Sequence, residues 1–521
     1  MNIKEAILRL PQRADKNDDN TLAATFVEVG ALMPLLLSIN NHILFGRRGT
    51  GKTHVLKYLK TKVEENNDIG IYIDMRLIGS SRSIYSDSTI PLPQRTLRLL
   101  SDVIKEVHDG ILNYLSSPRN VNVELSNVAP LLNQLSIYAE AEVVNGSSMI
   151  RNTQVLGRES GSQLAAAISA NPIVAVRSQT ATSQKQEFVE SVSGQREAYL
   201  DYQSIFAILK NITEVIAPSK LWILVDEFSE VAPELQVYLA DMFKRVFSPN
   251  NNVVYKIAAI EHRSSLIKHM EDGGYLGLEV GADIASCNLD NYLVFGNNEA
   301  QASMFYRSLL LGHVNSMLGE KEQVQTSDEL IRELFTQENA FLELVAAAEG
   351  VPRDAFNILS KAITIDYYNK ISIPTLRKAA RQWYIQDKQK NVEAYEGAFK
   401  FLSWIIDVVI NNRHAKAFLL KSGSQVDLIK YLFDARILHI IKQSISGRDI
   451  PGERYDVYSI DYGCYCDLIN TARQPKGLFE VSDDEDVDVF VDVPKDDYRS
   501  IRRAILDLSD CPFINGANSL H

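Results

Sequence analysis

A short glycine-rich segment restricts the possible folds of this chain more than any other. Residues 46–53 read Gly-Arg-Arg-Gly-Thr-Gly-Lys-Thr, which fits the pattern G-x-x-x-x-G-K-[ST] at every fixed position. Glycines permit backbone angles that side chains forbid, so the amides of such a loop can turn towards phosphate oxygens. The apolar run 42–45 precedes the loop and a helical pattern over 52–62 follows it. This order of strand, loop and helix predicts a P-loop for nucleotide phosphates.

The residues of the loop have separate expected roles. Lys52 is expected to reach the β- and γ-phosphates, and the Thr53 hydroxyl to ligate Mg²⁺, which prefers oxygen donors. The sequence contains no Asn-Lys-x-Asp motif for guanine, which favours ATP. The predicted nucleotide-binding set is the loop and the residue after it: Gly46, Arg47, Arg48, Gly49, Thr50, Gly51, Lys52, Thr53 and His54.

A second segment supplies the acidic half of such a site. Residues 221–227 read Leu-Trp-Ile-Leu-Val-Asp-Glu, an apolar strand that ends in two carboxylates, as in a Walker B motif. Asp226 is predicted to hold Mg²⁺ through water. Glu227 is predicted to be the general base for the attacking water.

The apolar runs alternate with helical patterns, which predicts a parallel sheet covered on both faces. The predicted strands are 42–45, 69–74, 221–225 and 253–260, with 292–295 as a candidate fifth. Residues 139–196 are rich in Ser, Gln, Ala and Gly and break this alternation. They are predicted to be an insertion, either an exposed β-hairpin or a loop without structure.

The predicted fold class is α/β, a P-loop NTPase sheet with a helical lid and a small α+β winged-helix domain. The core covers 1–298, the lid 299–392 and the winged helix 393–480. The winged helix is inferred from the order helix, short strand, helix, strand, loop and strand over 399–460. Residues 481–521 are expected to hold an acidic run at 483–486 and a last helix near 497–508.

A known family shares these features. Residues 350–359 read Gly-Val-Pro-Arg-Asp-Ala-Phe-Asn-Ile-Leu. This segment resembles the sensor-2 helix of AAA+ ATPases, especially the origin-recognition and Cdc6-like branch. The order of core, lid and winged helix is also similar to that of many STAND-type signalling ATPases. The resemblance implies that Arg353 contacts the γ-phosphate and couples lid closure to nucleotide state.

The sequence departs from that family at two places. Glu261 and His262 follow the strand 253–260, where the family usually has Asn, Thr or Ser as sensor 1. The arginine finger, which would act on a neighbouring subunit, has two candidates, Arg245 and Arg263. The predicted catalytic set is therefore Lys52, Glu227, Arg353 and Arg263, and the expected assembly is a homo-oligomer.

Charge and composition leave the partner open. The net charge is −12, so any nucleic-acid site must be a local basic patch. Residues 411–460 hold eight Lys/Arg against five Asp/Glu, 8 − 5 = +3, which makes double-stranded DNA a candidate partner. The alternative is a STAND-like signalling or antiviral-defence switch that binds a protein partner and not DNA.

The expected location is the cytoplasm. No apolar run reaches the ~18–20 residues of a membrane helix, and the N-terminus lacks signal-peptide features. Reduced thiols are expected at all four cysteines, Cys287, Cys464, Cys466 and Cys511.

Overall fold

The computed structural model describes residues 2–11, 18–78, 85, 87–117, 123–139, 142–144, 196–198, 200–271, 273–290, 299–424, 426–446, 453–468 and 505–513. The strands, in chain order from β1 to β12, are His42–Phe45, Ile69–Asp74, Glu142–Val144, Arg196–Ala198, Leu221–Asp226, Val253–Ala259, Ile267–His269, Tyr275–Gly277, Ala285–Asn288, Ala417–Lys421, Leu438–Ser446 and Arg454–Ile460.

Five of these strands form one parallel sheet with the order β2-β5-β6-β1-β9. The predicted parallel sheet is thereby confirmed, and four of its strands are those that the sequence indicated. The fifth is β9, whereas the candidate 292–295 lies outside the described residues. Because β1, β6 and β5 run parallel, the loop after β1 and the carboxylates after β5 lie at the same edge of the sheet, separated by β6.

The α-helices, in chain order from α1 to α17, are Ile3–Arg9, Asp19–Thr25, Leu32–Leu36, Lys52–Glu65, Met75–Ile78, Leu92–Leu115, Leu125–Ala139, Tyr202–Val215, Pro233–Met242, Glu299–Met317, Ser327–Leu334, Glu338–Ala348, Pro352–Ile365, Ile373–Trp383, Lys390–Glu393, Glu396–Ile405 and Asp427–Asp434. Three π-helical segments, Phe243–Phe247, Tyr384–Gln389 and Ile406–Asn412, continue α9, α14 and α16.

Both faces of the parallel sheet are covered. Ile223 and Val225 of β5 point into a cluster with α6, α7, α8 and α9, whereas Trp222 and Leu224 point into a cluster with α3 and α4. Alternate side chains of β5 therefore pack on opposite faces of the sheet, and both faces are buried. This explains why β5 is apolar at every position before Asp226.

Most buried apolar residues in the second half of the chain belong to one large core, and a smaller cluster of Ala417, Leu419, Ile441 and Val457 is separate from it. Buried side chains of α1, of α10 to α14, of α16 and of β11 belong to a single cluster. Side chains from both sides of the predicted boundary between lid and winged helix, at 392/393, therefore pack in the same cluster.

The last strands form a unit with α17, which we call the C-terminal unit (the described part of residues 417–461). Its sheet is antiparallel with the order β10-β12-β11, and the order of its elements is the predicted one. Its identity as a winged helix stays a prediction. Ile505, within the predicted last helix, instead makes a parallel bridge with Leu419.

Other expectations fall partly on the described residues. The short strands β3 and β4 pair antiparallel, with Val144 opposite Arg196, at the two ends of the predicted insertion. Residues 145–195 of the predicted insertion and the acidic run 483–486 lie outside the described residues. The four cysteines are free thiols. Within the described ranges, no helix combines the length and apolar character that crossing a membrane requires.

Gly110 provides a test of how tightly α6 packs on the sheet. A Cβ at this position would lie 2.6 Å from Ile71 Cγ2 of β2. Gly110→Ala gains up to ~1 kcal/mol of helix propensity but overpacking costs about 1–3 kcal/mol, so the midpoint of thermal unfolding should fall. Gly312→Ala is the control, because its Cβ would lie 3.6 Å from the nearest atom, Thr25 Cα, and it should raise the midpoint. An equal rise in both variants would contradict this packing.

Candidate functional site

The phosphate loop turns sharply between β1 and α4. Gly49 and Gly51 have φ of +91° and +100°, a region that side chains avoid. A Cβ at Gly46 would lie 2.6 Å from Thr50 Oγ1, and one at Gly49 would lie 2.8 Å from Arg353 Cβ. The Thr50 hydroxyl donates to the Arg47 carbonyl at 2.9 Å, which closes the turn. The loop is thus tightly turned, and Arg353 packs against it.

Lys52 points back along the loop from the first position of α4. Its Nζ donates to the Gly46 carbonyl at 2.7 Å and to the Arg47 carbonyl at 3.1 Å. Burial lowers the pKa of Lys52, and the carboxylates of Glu227 and Asp226 oppose that effect. The side chain is therefore a buried cation that faces two acidic groups and lines an open cleft.

The two carboxylates at the end of β5 are held differently. Asp226 is fully buried; it accepts from the Tyr72 hydroxyl at 2.6 Å and from the Glu227 N–H at 2.8 Å. Glu227 is in the left-handed region at φ +55° and lines the cleft. Burial and then the charge of Asp226 raise the pKa of Glu227, whereas Lys52 lowers it. One carboxylate is fixed and the other faces the open space.

The cleft beside the loop has a volume of about 700 Å³. One side consists of loop residues 48–54 together with Glu227 and Arg353. An apolar and aromatic part of the remaining wall comes from the N-terminal segment, α10 and α13: Phe26, Val27, Val29, Leu32, Phe305, Leu309, His313 and Phe356. The cleft thus combines charged groups at one end with apolar side chains, the general form of a small-molecule site.

The structure brings most, but not all, of the predicted site residues to this cleft. Arg48, Gly49, Thr50, Gly51, Lys52, Thr53, His54, Glu227 and Arg353 line it, and Asp226 is buried next to Glu227. Gly46 is not among the lining residues but supplies a carbonyl to Lys52. The Arg353 N–H donates to the Gly49 carbonyl at 3.3 Å, so the start of α13 is joined directly to the loop.

Arg47 differs most from its expected position. It is 1% exposed and does not line the cleft. Its backbone N–H and its Nε donate to the two carboxylate oxygens of Asp290, at 2.9 and 2.7 Å. The guanidinium therefore lies in the interior of the protein. Arg47 occupies a variable position of the G-x-x-x-x-G-K-[ST] pattern, so the motif could not predict its burial.

The residues after β6 also lie away from the cleft. Glu261 accepts from Asn288 at 3.0 Å, and His262 packs edge-on against Phe433. Arg263 forms an ion pair with Asp434 of α17 at 3.3 Å, and Arg245 forms one with Asp241 in its own helix. Sequence reasoning did not anticipate these contacts with the C-terminal unit, because the partners lie far apart in the chain.

Comparison with known proteins adds one finding. A family model described as ORC-CDC6-like matches residues 10–78. This stretch contains β1, the phosphate loop, α4 and β2, and it is well under half of the chain. The match supports, at a coarse level, a relationship with the nucleotide-binding AAA+ proteins of the origin-recognition and Cdc6 type. No curated protein matches the chain.

Glu349, at the end of α12, gives the folded protein a specific pH dependence. Burial, and then the nearby Asp461, raise the pKa of this carboxyl to about 7, although Lys416, Lys388 and Arg47 oppose the rise. A raised pKa stabilises the fold below the ordinary value near 4.5, and this stability is lost as pH rises through 7.

Glu349→Gln keeps the neutral form at every pH. The variant should therefore be more stable than the wild type at pH 8, by on the order of 2–3 kcal/mol, and nearly equal to it at pH 5. Thermal unfolding at the two pH values measures the difference. The exposed Glu333→Gln is the control. A gain of the same size at pH 5 would show that proton binding by Glu349 is not its cause.

Proposed function

We propose that this chain binds ATP with Mg²⁺ in the cleft beside residues 46–53 and hydrolyses it as an AAA+ type ATPase. The observation that carries the proposal is the buried ammonium of Lys52 opposite Asp226 and Glu227, at the polar end of a cleft of about 700 Å³. A triphosphate would supply the negative charge that this cation and the N-terminus of α4 can stabilise. The apolar wall of the cleft would contact the adenine ring.

Asp226 and Thr53 would hold the metal ion. Both offer oxygen, the donor that Mg²⁺ prefers, and the Asp226 carboxylate is oriented by the Tyr72 hydroxyl and the Glu227 N–H. When bound, the ion would neutralise charge on the phosphates. Asp226 would act from its fully buried position through an intervening water, whereas Thr53 lies in the first turn of α4 and lines the cleft.

Glu227 is the proposed general base. Its pKa is raised, so its carboxylate is a stronger base than that of an exposed glutamate. Glu227 and Lys52 both line the cleft. Arg353 is proposed to contact the γ-phosphate, since its side chain lines the cleft and its backbone is bonded to Gly49. Arg263 in a homo-oligomer is proposed to act on a neighbouring subunit, which would require release from Asp434.

The ATPase is proposed to couple its nucleotide state to oligomerisation and to a partner of the C-terminal unit. Double-stranded DNA at residues 411–460 is one proposed partner. A second candidate is a STAND-like signalling or antiviral-defence switch with a protein partner. It is favoured because several basic residues of this region form ion pairs with carboxylates of the same chain. Arg436 is buried in ion pairs with Asp354 and Asp387, and Lys421 and Lys430 pair with Glu453 and Asp427. These pairs reduce the positive charge available to a phosphate backbone.

Two substitutions separate binding from hydrolysis. Lys52→Ala removes the buried cation and should weaken ATP binding by roughly 100-fold or more, as isothermal titration calorimetry would measure. Lys62→Ala in the last turn of the same helix is the control and should bind normally.

Glu227→Gln should bind ATP but lower the turnover number by roughly 10²–10⁴-fold. Normal hydrolysis by Glu227→Gln would mean that another group is the base.

The two partner classes differ in what stimulates the enzyme. For a DNA partner, the ATPase rate should rise with double-stranded DNA at moderate salt, and the stimulation should disappear as salt rises, because contacts with phosphates release counterions. For the signalling switch, DNA should not bind, and ATP should cause assembly that light scattering detects. DNA stimulation that persists at high salt would contradict a mainly electrostatic contact.

A further inference from the structure

Arg47 joins the phosphate loop to the C-terminal unit. Its Nη1 donates to His439 Nδ1 at 2.6 Å and to the Leu438 carbonyl at 3.3 Å, both on β11. Its guanidinium also lies 4.9 Å from the centre of the Phe433 ring of α17. The carbonyl of the same residue accepts from Lys52. A shift of β11 would therefore act directly on a backbone segment of the phosphate loop.

His439 passes this contact on to Asp461. Burial, and then the Arg47 cation, lower the pKa of His439 to about 4, so the ring is neutral at pH 7. Since Nδ1 accepts from Arg47, the proton of the neutral ring lies on Nε2, which donates to Asp461 Oδ2 at 3.3 Å. The histidine thus links a cation on the loop to an anion just after β12.

Asp461 also starts a second arm that returns to the loop. It accepts from Lys388 Nζ, and the same Nζ lies 3.0 Å from Asp354 Oδ2. Asp354 is 0% exposed and follows Arg353, whose N–H donates to the Gly49 carbonyl. Arg436, two residues before β11, forms a further ion pair with Asp354. Both arms therefore connect the C-terminal unit with the loop, one at residue 47 and one at residue 49.

Such a network has a geometric effect that apolar packing lacks. Buried charges are costly to remove from water and are tolerated only while each has its partner. Lys388 has two carboxylates within reach, and Asp354 has two cations. A rotation of the C-terminal unit away from α13 would leave several of these charges unpaired. The contact is therefore made in one arrangement or lost, with little room for gradual adjustment.

We propose that His439 and Asp461 are positioning residues of the nucleotide site, and that they hold Arg47, and with it the phosphate loop, in the conformation that binds nucleotide. Nucleotide in turn stabilises the position of β11, because the coupling between two sites is reciprocal. The proposal rests on the proposed function, since it assigns a further role at the same site.

A double-mutant cycle on the full chain tests the proposal. The variants are Arg47→Gln, His439→Phe and the pair together, and the measurement is the Kd of adenylyl imidodiphosphate with Mg²⁺ by calorimetry. Each single variant should bind at least tenfold more weakly, and the double variant no more weakly than the worse single one, because both changes break the same link. His439→Gln, which keeps one donor and one acceptor, should recover part of the affinity.

Tyr462→Phe is the matched control. It removes a hydrogen bond to Glu343 at the same interface but outside the network. It should lower the midpoint of thermal unfolding and leave the Kd within about twofold of the wild type. If His439→Phe behaves in this way as well, the contact is only structural and the proposal is wrong. If His439→Phe does not fold, His439→Gln decides: a wild-type Kd overturns the proposal and a weakened Kd supports it.

Hydrogen exchange measures the reciprocal effect without relying on the affinity of a variant. The nucleotide should slow exchange of the β11 amides 438–442 in the wild type and not in Arg47→Gln. Unchanged exchange in the wild type overturns the proposal. Failure of the proposed function would look different: the wild type itself would not bind the nucleotide, or Lys52→Ala would bind it as well as the wild type does.

Discussion

The ammonium of Lys52 is a buried charge at the edge of the central sheet, and the rest of the site depends on the groups that stabilise this charge. Removing a lysine from water costs several kcal/mol unless acceptors and anions surround it. Two loop carbonyls accept its protons, and the carboxylates of Asp226 and Glu227 oppose the lowering of its pKa. Because β6 lies between β1 and β5, the loop and these carboxylates are separated by two strand spacings, ~10 Å. The proposed function places the phosphates and the metal ion between the loop and these carboxylates, so sheet order and local charge support the same proposal.

The same rule applies where the C-terminal unit meets the phosphate loop and α13. Arg47, Lys388 and Arg436 are all buried, and each is paired with a carboxylate, Asp290, Asp461 or Asp354. Apolar residues of similar volume could pack there without this cost, and buried ion pairs are weak evidence for stability. What the pairs add is a single allowed arrangement of the C-terminal unit on α13 and the phosphate loop. The proposed coupling between the nucleotide site and β11 follows from that requirement.

The sequence predicted those parts of the structure that local pattern determines. Residues 42–45 and 69–74 are strands as expected, because a buried parallel strand is a run of apolar residues bounded by turn signals. Residues 285–288, Ala-Ser-Cys-Asn, have no such pattern and became β9 through pairing with β1. The turn after β1 and the end of β5 at Asp226 could be located for the same local reason, because each follows a run of apolar residues. The position of Arg47 was not, because its partners Asp290 and His439 are far along the chain and no motif connects them.

The charge of the C-terminal unit shows why a count of residues is a poor guide to a binding surface. Over residues 411–460 the sequence gives +3, which suggests attraction to a polyanion. Arg436 contributes to that count but is 7% exposed and faces Asp354, so it cannot meet a phosphate backbone without breaking the network. Each phosphate contact that is lost in this way lowers both affinity and salt dependence. Of the eight basic residues in this count, Arg436 is the one whose charge attaches the C-terminal unit to Asp354 of α13. A charge that pairs inside the protein in this way serves the proposed coupling to the nucleotide site and not contact with DNA.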